Sequence, residues 1–277
     1  MLTAKPATAK SYVTAIRSFH LENGFPITIF DDPRIDLVIK GGKRVYGEGV
    51  KKLRLPLTSS VLLRIVNEVR VDEEGINVKS ALCVAFAAFL RSGEFTWDAP
   101  WTGKSHESNL SRKHVVFHSN DSITLTLPAS KTDPYRKGVI IQLASSPSPL
   151  CPVTALNRLY NLYPRSPTQP LFARPHGQPF TKQFIVTKIR ELLLQAGVST
   201  LGFSGHSIRK GAAVTAATNG ISKDNIKLLG RWKSDAVDVY INELNQSDHI
   251  HKLLNLNSLL HTPPTLNSLA PPNFARP

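Results

Sequence analysis

The sequence predicts a mainly α-helical protein with a small antiparallel β-sheet, an α+β fold. Most of the chain carries apolar residues at helical spacing, as in residues 6–24, 59–69 and 180–196. Residues 115–143 instead hold short runs in which apolar and polar side chains alternate, a pattern typical of strands. With 277 residues, 41% of them hydrophobic, the chain is long enough for two domains with cores of their own.

Two helices are expected before the first boundary. Residues 6–24 carry Tyr12, Ile16 and Phe19 on one face and end at Gly24. A second helix is expected to start at Asp32-Pro33 and to stop at Gly41-Gly42. Because two helices cannot close a core, residues 1–56 are expected to be only part of a helical domain, which suggests a fragment or a truncated copy.

The second domain is expected over residues 57–255. Thr58 or Ser59 can cap its first helix, and a nearly all-apolar helix over residues 77–91 should be its buried centre. That helix ends in Arg91, and a charge beside an apolar core requires an anionic partner. Either a pair with Glu94 or a bound phosphate would meet that need.

The β-region is expected to contain strands at residues 115–117, 122–127 and 139–143, with a turn at 132–135. Lys131 would then lie at a hairpin, on the same turn as Arg136 and Lys137, and an ordinary exposed lysine explains it as well. Helices are expected again from Cys151-Pro152, over residues 180–196, and over residues 241–254. The tail, residues 256–277, is rich in Pro, Asn and Ser, and we expect it to be disordered.

Charge and composition narrow the partner. A net charge of +14 and a pI near 9.9 favour a polyanion such as DNA or RNA. Cys83 and Cys151 have no metal-ligand spacing and are expected to be buried thiols in a reducing compartment. His249 and His251 lack nearby carboxylates and are expected to be surface residues. Neither a signal peptide nor a membrane span is visible, so we expect an intracellular protein with no membrane partner.

One motif indicates the chemistry. Residues 205–211 read GHSIRKG, residues 229–232 read LGRW, and Tyr240 follows. His206 and Arg209 stand three apart where a helix begins, so they are expected to share one face. A His, an Arg and a Tyr with no acidic pair and no Cys pair favour chemistry on a phosphate over chemistry on an acyl group or a sugar.

These residues resemble the tyrosine recombinases, or phage integrases, and the wording around them is most similar to recombinases of eukaryotic mobile elements. The order of the motifs over about 150 residues carries the resemblance. It implies a catalytic domain preceded by a partial helical core-binding domain. It also implies Glu94 as a supporting residue and this catalytic set: Arg91, Lys131, His206, Arg209, Trp232 and Tyr240.

The chemistry of a phosphodiester fits that set. Arg91 and Arg209 can fork onto the non-bridging oxygens, and His206 and the indole N–H of Trp232 can add hydrogen bonds. The resemblance implies that Tyr240 forms a 3′-phosphotyrosyl link while Lys131 protonates the leaving 5′ oxygen. Because that link conserves the energy of the broken phosphodiester, no ATP, metal or other cofactor is expected.

The spacing departs from the family in one place. Trp232 stands eight residues before Tyr240, whereas nine is commoner in bacterial members. On one unbroken helix this would rotate the phenol by about 100°. A turn at residues 233–235 is expected to absorb the difference. Taken singly, Trp232 and Tyr240 are also explained as ordinary core aromatics.

Double-stranded DNA is the expected partner, held by a homo-tetramer on two sites, with no small-molecule substrate. A solvated surface explains the basic residues equally well; the candidates for DNA contact are Lys43, Arg44, Lys51, Lys52, Arg136, Lys182, Lys210 and Arg231. In a eukaryotic host the nucleus is expected. Two alternatives remain open: a catalytically inactive DNA-binding protein of mobile-element origin, and a topoisomerase of the same fold.

Overall fold

The computed structural model describes residues 6–47, 54–98, 107–119, 121–130, 133, 135–238 and 240. The chain divides into two compact units, Met1–Leu53 and Arg54–Pro277. The described residues are mostly helical and include a three-stranded antiparallel sheet, which confirms the predicted fold class. Among those residues, none of the helices is long and apolar enough to cross a membrane.

The first unit contains α1 (Pro6–Glu22), a 3₁₀ turn (Thr28–Asp31) and α2 (Pro33–Tyr46). Asp32 caps α2 by accepting a hydrogen bond from the amide of Arg34 at 2.8 Å. The predicted stop at Gly41-Gly42 is wrong, because α2 continues to Tyr46 and ends at Gly47, whose φ is 69°. A glycine ends a helix when it adopts positive φ, and inside a helix it costs only about 1 kcal/mol.

The second unit is built from seven α-helices and three strands over its described residues. The helices are α3 (Ser59–Asn67), α4 (Glu73–Ala87), α5 (Ser92–Phe95), α6 (Pro152–Leu162), α7 (Lys182–Gln195), α8 (Ser207–Thr218) and α9 (Lys223–Gly230). The strands are β1 (Val115–Phe117), β2 (Ser122–Leu127) and β3 (Val139–Ala144). Three 3₁₀ turns lie at Arg112–His114, Pro175–Gly177 and Asp235–Val237.

The central helix α4 begins and ends earlier than the sequence predicted. Asp72 caps it through a 2.7 Å hydrogen bond from the amide of Gly75, so the helix begins at Glu73 rather than at residue 77. It ends at Ala87, and Phe89 then adopts a left-handed φ of 51°. Arg91 therefore lies outside α4, in extended backbone, where it caps the short helix α5.

The sheet has the strand order β1-β2-β3 with both pairings antiparallel. Strand β2 buries its alternate residues Ile123, Leu125 and Leu127 in the main core, as its period of two predicts. Beyond the end of β2, Ser130 bridges Asp133. The predicted strands are thus confirmed.

Helix α8 lies directly against the backbone of Leu57. A Cβ added to Gly211 would lie 1.8 Å from the carbonyl oxygen of Leu57. The amide of Leu57 donates to the carbonyl of Ser207 at 2.8 Å. This close approach fixes the first turn of α8, which carries Arg209, within the core that also holds α4.

Candidate active site

Glu94 is the common acceptor of the candidate site, and its side chain is only 4% exposed. Its carboxylate accepts hydrogen bonds from Nη1 and the backbone amide of Arg91, both at 2.8 Å, and from Oγ of Ser130 at 3.1 Å. Arg91 also donates to Ser130 Oγ at 3.4 Å, and 22% of its side chain stays exposed. Arg91 is therefore held in place and still accessible.

Arg231 is the third residue that binds Glu94, through a 3.1 Å bond from Nη2 to Oε2. Its backbone is left-handed, with φ 57° and ψ 41°, where α9 ends. This turn directs the guanidinium towards α4, where it donates to the carbonyls of Ala88 at 3.0 Å and Phe89 at 3.4 Å. Burial lowers the pKa of Arg231; Glu94 opposes this effect and Arg91 adds to it.

Arg209 lies on the first turn of α8 and is only 3% exposed. Its Nη1 donates to the carbonyl of Phe89 and its Nη2 to the carbonyl of Gly230. Burial, together with the nearby charge of Arg91, lowers the pKa of Arg209 to about 9. At neutral pH the guanidinium therefore remains cationic.

Trp232 and Tyr240 complete the cluster around Arg209. The Arg209 guanidinium lies 4.1 Å from the centre of the Trp232 ring, a cation–π distance. The Trp232 ring meets the rings of Phe89 and Tyr240, each at 6.3 Å between centroids. Gly230 makes room for this indole, because an added Cβ would lie 1.6 Å from a ring carbon. The Arg209 side chain is thus fixed by aromatic packing.

The predicted turn between Trp232 and Tyr240 is present. Helix α9 ends at Gly230, and a separate 3₁₀ turn, Asp235–Val237, precedes Tyr240. The residues from 232 to 240 do not form one unbroken helix, so the eight-residue spacing does not rotate the phenol away from Trp232. Tyr240 is partly buried, and Nζ of Lys210 lies 5.7 Å from its ring centre.

His206 and Arg209 were expected to share one face of α8, but the two side chains differ in exposure. His206 occupies the N-cap of α8 with its side chain exposed, whereas Arg209 is buried. Lys210 is only 5% exposed, and its Nζ donates to the carbonyl of Arg54 at 2.7 Å. The lysine supports the start of the second unit from inside.

The remaining basic candidates lie in several places. Lys43 and Arg44 are in the last turn of α2. Lys182 pairs with Asp98 at 3.1 Å and approaches Gly93. Arg136 lies in the β2–β3 connection and has a positive φ of 50°. Lys51, Lys52, Lys131, His249, His251 and the predicted tail lie outside the described residues.

An open groove runs beside the cluster, and each of its walls carries charged side chains. One wall comes from the β2–β3 connection and the start of β3, the other from the end of α9. Its lining includes Asp133, Lys137, Lys227, Arg231 and Trp232. Within the described part of the chain, no group of three or more His, Cys, Asp or Glu residues could hold a metal ion.

The structure thus gathers five of the sequence candidates in two sets: Arg91 binds Glu94, and Arg209 stacks on Trp232, which meets Tyr240. Arg231 joins the two sets, because it binds Glu94 and shares the Phe89 carbonyl with Arg209. Sequence reasoning missed the roles of Ser130 and Arg231 as partners of Glu94. Ser130 precedes Lys131 in the sequence, and the resemblance to the family concerns only the lysine of this motif. No local pattern in the sequence marks Arg231 for this role, because its contact with Glu94 depends on the left-handed backbone at the end of α9.

This arrangement of helices around a three-stranded antiparallel sheet is the fold of the tyrosine recombinase catalytic domain. One solved structure that shares it is a post-cleavage complex of the XerH site-specific recombinase bound to palindromic difH substrate. It is 13% identical, with a TM-score of 0.53 over 90% of this chain and 70% of that one.

Two further structures match to a similar degree. The pre-cleavage complex of XerH bound to difH is 14% identical, with a TM-score of 0.51 over 86% of this chain and 67% of that one. The XerA recombinase is 16% identical, with a TM-score of 0.51 over 90% and 83%. At these identities the likeness concerns the fold. No protein-family model matches the sequence, and no curated protein gives a significant match.

Proposed function

We propose that the protein is a DNA strand transferase that cuts and rejoins DNA through a 3′-phosphotyrosyl intermediate at Tyr240. The observation that carries the proposal is one chain of contacts. Arg91 and Arg231 bind Glu94, Arg231 and Arg209 share the Phe89 carbonyl, and Arg209 stacks on Trp232 beside Tyr240. Two cationic guanidiniums beside a phenol suit a phosphodiester, whose negative charge spreads over its oxygens as the nucleophile attacks. The net charge of +14 favours the same polyanionic substrate.

The proposed step is an attack by the Tyr240 phenol on a DNA phosphodiester. The Tyr240 oxygen attacks the phosphorus, the bond from phosphorus to the 5′ oxygen breaks, and the phenol proton passes to His206 or to solvent. Lys131 supplies the proton that the leaving 5′ oxygen takes up. A 5′ hydroxyl from a partner strand then reverses these events and releases the enzyme. The protein-supplied groups stabilise charge and move protons, and the phosphotyrosyl bond stores the energy for rejoining.

The matched structures support DNA as the substrate. The solved relatives include XerH complexes with difH substrate before and after cleavage. We propose double-stranded DNA as the partner here, bound by a homo-tetramer on two sites, and a mobile element as the origin of the chain. Arg136 and Lys182 are the described basic residues of the second unit that we propose for backbone contact.

The test is covalent trapping on DNA. A duplex library with randomised sequence would carry a 5′-bridging sulfur at each test linkage. A thiol leaves without needing a proton, because its pKa is about 8.5. Wild-type protein is expected to form an SDS-stable adduct, and the Tyr240→Phe protein is not.

The same substrate tests the acid. Lys131→Ala is expected to lose adduct formation on the oxygen substrate and to regain it on the sulfur substrate. Lys137→Ala, a lysine of the adjoining groove, should not show that contrast. Salt-sensitive DNA binding without any wild-type adduct would contradict the proposal and would favour the inactive DNA-binding protein. Relaxation of plasmid DNA by a monomer would favour the topoisomerase.

A further inference from the structure

Two buried arginines lie under one loop of the second unit, the segment between α6 and α7. Arg112 opens a 3₁₀ turn before β1 and is only 3% exposed. Arg165 belongs to the loop itself, and 9% of its side chain is exposed. The site chemistry described above uses neither residue. Two cations buried this deeply require a physical explanation.

Both guanidiniums are fixed against the same loop. Arg112 donates from its amide to the carbonyl of Gln169 at 3.0 Å and from Nη2 to the carbonyl of Tyr163 at 3.2 Å. It stacks 4.3 Å from the centre of the Tyr160 ring. Arg165 donates from Nη2 to the carbonyl of Arg174 at 3.2 Å. The loop therefore has little freedom to move away from either side chain.

Three of their nitrogen atoms are buried and find no acceptor among the described residues. These are Nε and Nη1 of Arg112 and Nη1 of Arg165. A buried donor without an acceptor costs about 1–3 kcal/mol, and more when it belongs to a charged group. Native proteins leave few such groups, and those that occur commonly mark a bound water or ion.

The local charge is unbalanced as well. Glu73 pairs with Arg165 at 2.5 Å, whereas Arg112 has no carboxylate partner among the described residues. Burial lowers the pKa of Arg112 to about 10; Tyr160 opposes the effect and the positive charge of Arg165 adds to it. One excess positive charge is therefore held in a water-poor place. A water molecule would accept the hydrogen bonds but would leave that charge in place.

The backbone of Gly177 lies close to one of the unpaired donors, where a side chain would be crowded. A Cβ placed on this buried residue would lie 3.2 Å from Nη1 of Arg165 and 3.6 Å from Nε2 of Gln169. The φ of Gly177 is +82°, which also favours glycine. The backbone turn thus keeps a side chain away from a point where N–H donors of two residues approach each other.

We propose that Arg112 and Arg165 form a binding site for one small inorganic anion, of the phosphate, sulfate or chloride class, beneath the α6–α7 loop. An anion would pair with the unsatisfied donors and offset the excess charge at once. The burial of these atoms favours a small ion over the backbone of a polymer. The site is independent of Tyr240 and of the proposed strand transfer, so its test needs no DNA.

The first test measures thermal unfolding at constant ionic strength, with gluconate as the background anion. Phosphate, sulfate and chloride are titrated in separately. Wild-type protein is expected to show a saturable rise in Tm with at least one of them, since a ligand that binds only the folded state stabilises it. Arg112→Met and Arg165→Met should lose that rise. Arg158→Met, which changes an exposed arginine of α6, should keep it.

The second test covers the case in which those variants fail to fold. Crystals of wild-type protein soaked in bromide or in selenate are examined by anomalous diffraction. A peak within hydrogen-bond distance of the unpaired Arg112 or Arg165 nitrogens supports the proposal, and the successful soak separates a halide from an oxyanion. Peaks from neither soak at those atoms, or Tm rises that are equal for every salt and variant, would overturn it.

Discussion

At the scale of single residues, the site depends on one buried carboxylate that serves two arginines. Glu94 accepts hydrogen bonds from Arg91 and from Arg231. Arg91 is three residues away in the sequence, whereas Arg231 is 137 residues away. It compensates buried charge and orients Arg91, so the arginine is positioned before any phosphate arrives. Preorganised donors of this kind are the largest contribution to many enzymatic rate accelerations.

Replacing Glu94 with Gln is expected to destabilise the fold by about 3–5 kcal/mol, because both guanidiniums lose a buried partner. Urea unfolding measures the change. Glu191→Gln is the matched control, since Glu191 is 49% exposed and pairs with Lys188 on the surface of α7. Its effect should stay within about 1 kcal/mol. Equal losses for the two variants would show that Glu94 does not compensate buried charge.

The contacts of Trp232 indicate that its ring positions Arg209, and Trp232→Phe separates that role from hydrogen bonding. Phenylalanine keeps an aromatic face for the Arg209 guanidinium but lacks the indole N–H. We expect the variant to retain adduct formation within about tenfold of wild type, since a lost transition-state donor typically costs about 10²–10³-fold. A loss of the larger size, with Tm unchanged, would assign the indole N–H to the phosphate instead.

The sequence predicted several residues of this cluster, because their order and spacing resemble a known family. It did not predict that Arg231 binds Glu94. That contact depends on the left-handed backbone at Arg231, which directs the side chain back across the end of α4. Nor does a local pattern reveal that Arg209 is buried while His206, three residues earlier, is exposed. Both features arise from packing between distant segments.

At the scale of elements, the first turn of α8 depends on a glycine. Gly211→Ala is expected to lower Tm by several degrees, because its Cβ would lie 1.8 Å from the Leu57 carbonyl oxygen and the backbones would have to separate. Gly41→Ala in α2 is the control, since nothing lies within 4 Å of its added Cβ. That change should be neutral or slightly stabilising. Calorimetry would contradict this account if the two variants behaved alike.

Helix α6 has a thiol as its cap. Cys151 Sγ accepts from the amides of Ser146 at 3.3 Å and Thr154 at 3.4 Å. Burial opposes ionisation, but the hydrogen bonds from Thr154, Ser146 and Ser145 outweigh it and lower the pKa of the thiol from 9.0 to about 6. The thiolate is therefore stabilised by folding.

Cys151→Ala should consequently cost more stability as the pH rises from about 6 to 9. In this window the folded thiol has lost its proton and the unfolded thiol has kept it, so the stabilisation grows with pH and disappears as the pH falls through about 6. Urea unfolding of wild type and variant at pH 5.5, 7 and 8.5 measures the difference. A difference that stays constant with pH would argue against a capping thiolate.

The element boundaries show where sequence patterns fail. The strands were predicted closely, because alternation over a buried face is a local signal. The predicted position of α4 was shifted towards the C-terminus, because the apolar residues continue beyond Ala87, where the helix ends. Phe89, with its positive φ, ends the helical region although its side chain continues the apolar pattern.

At the scale of the whole molecule, the second unit brings residues from both ends of a span of about 150 positions to one place. Helix α4 ends beside α8 and α9, so the segments that carry Arg91, Arg209 and Arg231 all meet at the Phe89 carbonyl or at Glu94. The net charge of +14 favours a polyanion, and in the proposed function a phosphate of that polyanion would lie beside Tyr240.

The most direct measurement is peptide mapping of the trapped protein–DNA adduct by mass spectrometry. Wild-type protein is incubated with the sulfur-containing duplex library, digested with nuclease and protease, and searched for a nucleotide remnant. We expect the nucleotide remnant on Tyr240, joined to the phenol through a 3′ phosphate. A remnant on any other residue, a 5′ linkage, or salt-sensitive binding that never yields a remnant would contradict it.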